Sequence, residues 1–333
     1  MKFIDLPAKN QQDFIKAMFD ETDIPEQIIE KDWWVSAVLR AIFDLPYVGA
    51  LSFKGGTSLS KCWNLIERFS EDIDVAVSRE FLGFSGNLSR TQVSDKLRRA
   101  ACSFVREKLQ FDIKNKMIEQ GVDTDKFKIV VNITPVTTVD PEVIYVHYVS
   151  QFTPLPYIQS FVKVEVSGRS MDEPLENIRI RSMLEDRFPN SPFAEAKFTV
   201  PTVKPERTFI EKICLLHEEF SKETADVRVN RMSRHLYDIS MIMKTSVADR
   251  ALADKDLFAS IAEHRRKFIG LKGFDYSTLC AEKINIIPPD DIVERWRADY
   301  DSMCIDMMYG DYPKFDELIT YIKELQERLK ASL

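Results

Sequence analysis

FKGGTSLSKCWNLIERFSEDIDVAV, from Phe53 to Val77, is the stretch whose reading decides the fold. It sets a glycine pair, Gly55-Gly56, upstream of two aspartates, Asp72 and Asp74, in an apolar alternation of Ile73, Val75 and Val77. Alternate side chains of a strand share a face, so Asp72, Asp74 and Ala76 point one way and the aliphatic residues the other. Two carboxylates about 6–7 Å apart on one strand face repel unless a cation lies between them. Hard oxygen donors favour Mg²⁺ or Mn²⁺. A glycine turn can present backbone N–H groups to phosphates. Together these features point to metal-dependent chemistry on a nucleoside triphosphate.

Working outward, residues 9–21 read as an amphipathic helix, and Pro25 opens a stronger one whose apolar positions Ile28, Ile29, Val35, Val38, Leu39 and Ile42 recur at helical period. Leu51–Lys54 reads as a strand entering the glycine turn, Ser58–Phe69 as a helix capped by Thr57 or Ser58, and Glu71–Val77 as the acidic strand. A helix rich in Lys and Arg is expected over 90–120, followed by strands at Phe127–Thr134, Glu142–Ser150 and Phe161–Ser167. Pro201 and Pro205 mark a junction. Beyond it helices are expected at Arg207–Phe220, Asp226–Lys244, Lys255–Phe268, Pro289–Met308 and Tyr312–Leu329. The expected division is 1–200 and 201–333.

The 333 residues suffice for one large domain or two ordinary ones. With 44% hydrophobic and 30% charged residues the composition is that of a globular protein. A net charge of −7 argues against wholesale coating of nucleic acid, yet 46 Lys and Arg leave room for a local basic groove. Cys62, Cys102, Cys214, Cys280 and Cys304 form no CxxC pair, which argues against a zinc site and for a reducing compartment. The N-terminus, MKFIDLPAKNQQDF, lacks an apolar run of signal-peptide length, and no segment approaches about 18 apolar residues. A cytoplasmic protein without a membrane partner is expected.

A third acidic ligand is expected for phosphoryl or nucleotidyl transfer, and Glu165 in FVKVEVSGR is the candidate. Val162, Val164 and Val166 form the apolar face of that strand; Lys163, Glu165 and Ser167 form the polar one. The competing readings are ordinary ones: a solvated strand end for Asp72 and Asp74, and a surface residue for Glu165. No GxxxxGK[ST] or GxGxxG is present, which speaks against a P-loop and against dinucleotide binding. Lys212 could neutralise triphosphate oxygens or be a solvated helix lysine. Arg234 and Asp238, four residues apart, could share a helix face, with Arg234 a contact to the nucleotide or the two a simple ion pair. Trp33 and Trp34 are expected in the core rather than stacked on a base. The basic run at 90–116 is a solvated helix face or a track for an RNA backbone.

The chain resembles the AbiEii family of nucleotidyltransferase-like toxins, the toxin half of type IV toxin–antitoxin and abortive-infection systems. The resemblance rests on IPEQIIEKDWWV, FKGGTSLSKCW, RFSEDIDVAV, FVKVEV, PERTFIEKICLLHE and RHLYDIS. It implies an α+β fold: a DNA-polymerase-β-like nucleotidyltransferase core, a mixed sheet with flanking helices, followed by a helical C-terminal domain. By position it implies a phosphate-binding turn at Gly55, Gly56, Thr57 and Ser58, with Lys61 beside it. Asp72 and Asp74 would hold Mg²⁺ or Mn²⁺, Lys212 would contact the triphosphate, and Asp238 would be the acid of the last motif. Where that motif often has a basic residue directly before its LYD-type segment, this chain has Arg234-His235. Family members transfer nucleotides, some to the acceptor end of tRNA, and are paired with an antitoxin that binds directly or acts only genetically.

The expected reaction is in-line attack of a hydroxyl on the α-phosphorus of an NTP, with tRNA the expected acceptor and Glu165 orienting or deprotonating the hydroxyl. A small-molecule or protein acceptor on the same core, and a non-catalytic nucleotide- or RNA-binding module, are the alternatives.

Overall fold

The computed structural model describes residues 1–153, 159–171 and 174–332. The chain divides into two compact units, one of residues 1–62 and 69–203, the other of residues 63–68 and 204–333.

The first unit begins with helices α1 (Ala8–Thr22) and α2 (Glu26–Ile42), followed by strand β1 (Leu51–Lys54), helix α3 (Gly55–Lys61) and β2 (Asp72–Val77). A helical stretch from Gln92 to Glu119 contains α4 (Arg98–Phe104) and α5 (Gln110–Glu119), each preceded by a π-helical turn. Then come β3 (Phe127–Val131), β4 (Glu142–Tyr148), β5 (Phe161–Ser167), β6 (Leu175–Ile180), α6 (Met183–Arg187) and β7 (Phe198–Val203). Among the described residues, seven strands form one mixed sheet in the order β3-β4-β5-β2-β1-β7-β6. β2 runs parallel to β5 and β1 parallel to β7; the other pairs are antiparallel.

The sheet sorts its side chains by period two. Ile73, Val75, Val77, Ile144, Val146, Val162, Val164 and Val166 are buried, and Trp34 of α2 stacks on Tyr148 of β4 with ring centroids 5.1 Å apart. Helix α2 therefore covers this face, and both Trp33 and Trp34 are core residues. The alternating positions of β2 and β5, from Asp72 to Asp74 and from Phe161 to Ser167, are half-buried.

Three consecutive charges of α2 hold these elements in place. Side chains about 100° apart around a helix point in three directions, and each of these three finds a different segment. Glu30 accepts from the Gln151 N–H (2.7 Å) and the Ser150 hydroxyl, with burial raising its pKa. Lys31 pairs with Glu71 and donates to the Gln159 carbonyl (2.8 Å). Asp32 accepts from Lys61 of α3 and from the Met183 N–H (2.7 Å).

Several elements differ from the expected ones. The helix after the glycine pair starts at Gly55 and ends at Lys61, with Asn64 at φ +51° beyond it; residues 63–68 leave for the second unit. β6 was not expected, because its Glu176, Asn177 and Arg179 carry no apolar alternation on an edge strand. Pro201 lies inside β7, where its missing N–H is tolerated because β7 meets β1 only at Phe53↔Thr202. Pro205 opens the first helix of the second unit, α7 (Pro205–Phe220).

That unit continues with α8 (Ser233–Met243), α9 (Ser246–Ala253), α10 (Lys255–His264), α11 (Val293–Met307) and α12 (Phe315–Ser332). α8 starts later than expected because Asp299 of α11 accepts from the N–H groups of Arg231 (2.6 Å) and Ser233 (2.9 Å). No helix of the described residues is long and apolar enough to cross a membrane.

Replacing Asp32 by Ala leaves the Lys61 ammonium and the Met183 N–H buried without their acceptor. We expect Asp32→Ala to lower stability by about 3–5 kcal/mol, measured by urea unfolding. A loss below 1 kcal/mol would show that the helix charge does not hold α3.

Candidate functional site

The strand register of the first unit puts the sequence candidates in rows across the half-buried face. Lys54 of β1, Asp74 of β2 and Glu165 of β5 are register neighbours in one row. Asp72 of β2, Lys163 of β5 and Tyr145 of β4 form the next. The alternation read from the sequence thus places Glu165 directly beside Asp74 across a parallel pair.

β1 enters α3 without a loop, and Gly55 takes φ +80°, a conformation open to glycine at little cost. It is needed there for a second reason: a Cβ at Gly55 would lie 2.0 Å from Asp74 Oδ2 and 2.8 Å from its Cγ. The glycine turn and the second aspartate are built against each other. Gly56 stands in the first turn of α3. Thr57 and Ser58 are buried, with hydroxyls turned inward: Thr57 bonds the Asp72 carbonyl and the Ser70 hydroxyl, and Ser58 donates to the Gly55 carbonyl (2.8 Å). These side chains fasten the turn to the start of β2. Lys61, expected beside the phosphates, is instead held in the buried pair with Asp32.

Glu165 is engaged by Lys163, two residues earlier on the same strand face. Burial opposes the Lys163 charge, but Glu165, Asp72 and Tyr145 outweigh it and hold the ammonium above the usual lysine pKa. Lys163 thus offsets repulsion between Asp72 and Glu165, a role that the sequence reading, which saw only a polar strand position, did not assign. Among the described residues no group of three or more Asp, Glu, His or Cys side chains is disposed to hold a metal ion. The expected trio of Asp72, Asp74 and Glu165 shares a face but does not converge, because Glu165 turns to Lys163. An all-oxygen set of two carboxylates still suits Mg²⁺, which is commonly held by one or two carboxylates together with substrate phosphates and water. The residues present fit the ion in that mode.

The second unit carries a separate cluster. Asp238 of α8 is fully buried and receives a two-pronged contact from Arg68, Nε to Oδ1 at 2.7 Å and Nη2 to Oδ2 at 2.8 Å. Lys212 of α7 reaches Asp238 Oδ2 at 2.9 Å and His235 Nδ1 at 3.2 Å. Burial alone would raise the Asp238 pKa, but Arg68 and Lys212 overcome it and hold the carboxyl well below its usual range. Burial, reinforced by Arg68 and Arg234, lowers the Lys212 pKa against the pull of Asp238. Burial and the charges of Lys212 and Arg234 hold the His235 imidazole well below its usual pKa, with its Nδ1 beside the ammonium. Lys212 is therefore not a solvated helix lysine, and Asp238 takes partners from beyond its own helix. Arg68 was missed in the sequence, since nothing near residue 68 announces a partner 170 positions away.

The basic run over 90–116 is largely committed within the protein. Arg106 pairs with Glu142 and donates to the Thr134 carbonyl, Arg99 pairs with Asp95, Lys108 with Asp112, and Lys116 with Asp44 and Glu119. Arg90, Lys96, Arg99, Lys108 and Lys114 nevertheless stay exposed, Arg99 and Lys108 in surface pairs one helical turn apart.

Comparison with known proteins follows the same line. The family described as nucleotidyl transferase AbiEii toxin, type IV TA system, matches residues 37–321. Among solved structures the chain is similar to MenT4, a nucleotidyltransferase toxin from Mycobacterium tuberculosis, at 16% identity and TM-score 0.49, covering 92% of this chain and 89% of that one. It is similar also to JHP933 from Helicobacter pylori, at 14% identity and TM-score 0.46, covering 92% and 94%. No curated protein matches.

A depressed folded-state pKa contributes stability above the unfolded carboxylate value that is lost as pH falls through and below it. We expect acid to destabilise the wild type as pH drops below about 4, and Asp238→Asn to flatten that dependence while costing about 3–5 kcal/mol at neutral pH. Urea unfolding across pH 2–7 measures both. An unchanged acid limb in the variant would remove Asp238 as its source.

Proposed function

The chain belongs to the AbiEii family of nucleotidyltransferase toxins, and on that premise we propose that it transfers a nucleotide from an NTP to the 3′-terminal hydroxyl of tRNA. The reaction would depend on Mg²⁺ or Mn²⁺, arrest translation and growth, and serve a toxin–antitoxin or phage-defence system. The observation that carries this reading is the row of Asp74 and Glu165 beside a glycine turn closed against the Asp74 carboxylate.

In this reading the backbone of Gly55, Gly56, Thr57 and Ser58 binds the triphosphate, and Asp72 and Asp74 hold the divalent ion. The ion would neutralise charge on the phosphates and the leaving pyrophosphate. The acceptor oxygen forms the new bond to the α-phosphorus as the bond to pyrophosphate breaks, and the hydroxyl proton passes to a base. Glu165, beside Asp74, orients that hydroxyl and is the candidate base. Lys163 offers its charge to incoming phosphate oxygens and so releases Glu165. The cluster of the second unit carries one surplus positive charge, Arg68 and Lys212 against Asp238, which suits phosphate oxygens. Within that unit Lys212 and Arg234 are the proposed phosphate contacts. The family pairs toxin with antitoxin, so a cognate antitoxin is the expected partner, by direct binding or through its own gene product's action elsewhere.

Incubating the protein with Mg²⁺, each α-³²P-labelled NTP in turn and total tRNA tests the proposal. Label should reach tRNA with the wild type and fall by about 100-fold or more in Asp74→Asn, as loss of several kcal/mol of charge stabilisation requires. The variant should keep its melting temperature, since Asp74 lies on the half-buried face. A folded, fully active Asp74→Asn would overturn the assignment. Label on no RNA with NTP still consumed would move the acceptor to a small molecule or protein.

A further inference from the structure

We propose that Tyr145, His147 and Phe161 form a stacking platform for an unpaired nucleobase of the acceptor strand, on the same sheet face as the aspartate pair. This deepens the function proposed above and rests on its nucleic-acid acceptor.

The three rings come together through register. Phe161 of β5 is opposite His147 of β4, and Tyr145 is opposite Lys163 one row nearer the carboxylates. Tyr145 and Phe161 meet edge to face at 5.2 Å, and His147 and Phe161 at 5.3 Å. All three alternate with core residues: Ile144, Val146 and Val162 are fully buried, while Tyr145 and Phe161 are half-buried and His147 is exposed. They therefore contribute little to the core beneath α2. An outward-facing aromatic group of this kind costs solvation and matches the face of a base, which stacks on aromatic rings whatever its identity.

The surrounding charge suits a nucleic-acid backbone. Lys128 of β3, exposed, is the register neighbour of His147, and Lys163 is that of Tyr145. Lys31, buried and neutralised by Glu71, lies over the Phe161 ring at 5.6 Å from its centroid and helps to hold that ring in place. The row of Lys128, His147 and Phe161 contains no acidic residue.

Position selects the acceptor rather than the NTP. The glycine turn follows β1, on one side of β2; β5 and β4 lie on the other. In-line displacement puts the leaving pyrophosphate and the attacking hydroxyl on opposite sides of the α-phosphorus. With phosphates at the glycine turn, the acceptor strand comes from the β5–β4 side and crosses the platform. Tyr145 is two strand spacings, roughly 10 Å, from Asp72.

The test uses the full chain and a fluorescein-labelled short single-stranded oligoadenylate, read by anisotropy. NTP affinity is measured separately by equilibrium dialysis. The double variant Tyr145→Ser/His147→Ser should bind the oligonucleotide about 10–100-fold more weakly, as expected for loss of base stacking, with NTP affinity as in the wild type. Lys128→Glu, a surface change, should weaken oligonucleotide binding and reduce its salt dependence. Equal oligonucleotide affinity in the double variant and the wild type would overturn the platform, and so would a wild type that binds no oligonucleotide. A variant weakened only toward NTP would overturn it too, by assigning the rings to the donor base. The reading beneath it fails differently: platform-dependent binding with full transfer by Asp74→Asn would sink the catalytic assignment and spare the platform. Labelled tRNA with platform-independent binding would do the reverse.

Discussion

Helix α2 buries three charges in succession, and the face that carries the candidate site depends on where they go. Glu30, Lys31 and Asp32 cannot share a side of the helix, so each is satisfied by a different part of the first unit. Asp32 fixes α3 through Lys61, Lys31 fixes the residue before β2 through Glu71, and the same lysine ties the approach to β5 through the Gln159 carbonyl. The glycine turn, the aspartates and Glu165 stand on those three elements. Burying a charge is costly unless its partner is in place, so the arrangement is close to all-or-none. Neighbouring hydrophobic contacts tolerate small shifts; these pairs do not.

On the face so positioned, charge rather than shape is the organising quantity. Asp72, Asp74 and Glu165 bring three carboxylates to adjacent register positions, with Lys54 and Lys163 among them. Lys163 answers part of this repulsion from within the strand. A divalent ion bound with triphosphate would answer the rest, and would free Lys163 for the phosphates. Gly55 serves the same economy of space: with any side chain there, Asp74 could not keep its place.

Much of this was legible in the sequence, for a reason particular to strands. Period-two alternation in DIDVAV and FVKVEV states which side chains share a face, and a parallel pairing then aligns Asp74 with Glu165. The glycine pair marks the turn because few residues adopt φ +80° cheaply. What stayed hidden depends on distant partners. Arg68 reads as an ordinary basic residue until Asp238 is beside it; Lys61 looks like a phosphate ligand until Asp32 claims it; and Asp299 caps α8 from another helix. β6 was hidden for the opposite reason, since a polar edge strand has no alternation to read. The pairing of Arg106, like that of Arg68, was hidden because Glu142 on β4 supplies the acid from a distant strand.

The central claim is that Asp72 and Asp74 form the divalent-metal site, and Mn²⁺ binding tests it most directly. Electron paramagnetic resonance reports free Mn²⁺ as it is titrated into protein with a non-hydrolysable NTP analogue. Asp72→Asn/Asp74→Asn should bind Mn²⁺ more weakly than the wild type by at least the roughly 10–100-fold that loss of an outer-shell partner costs. Equal Mn²⁺ binding by a folded double variant would contradict the claim and place the ion elsewhere.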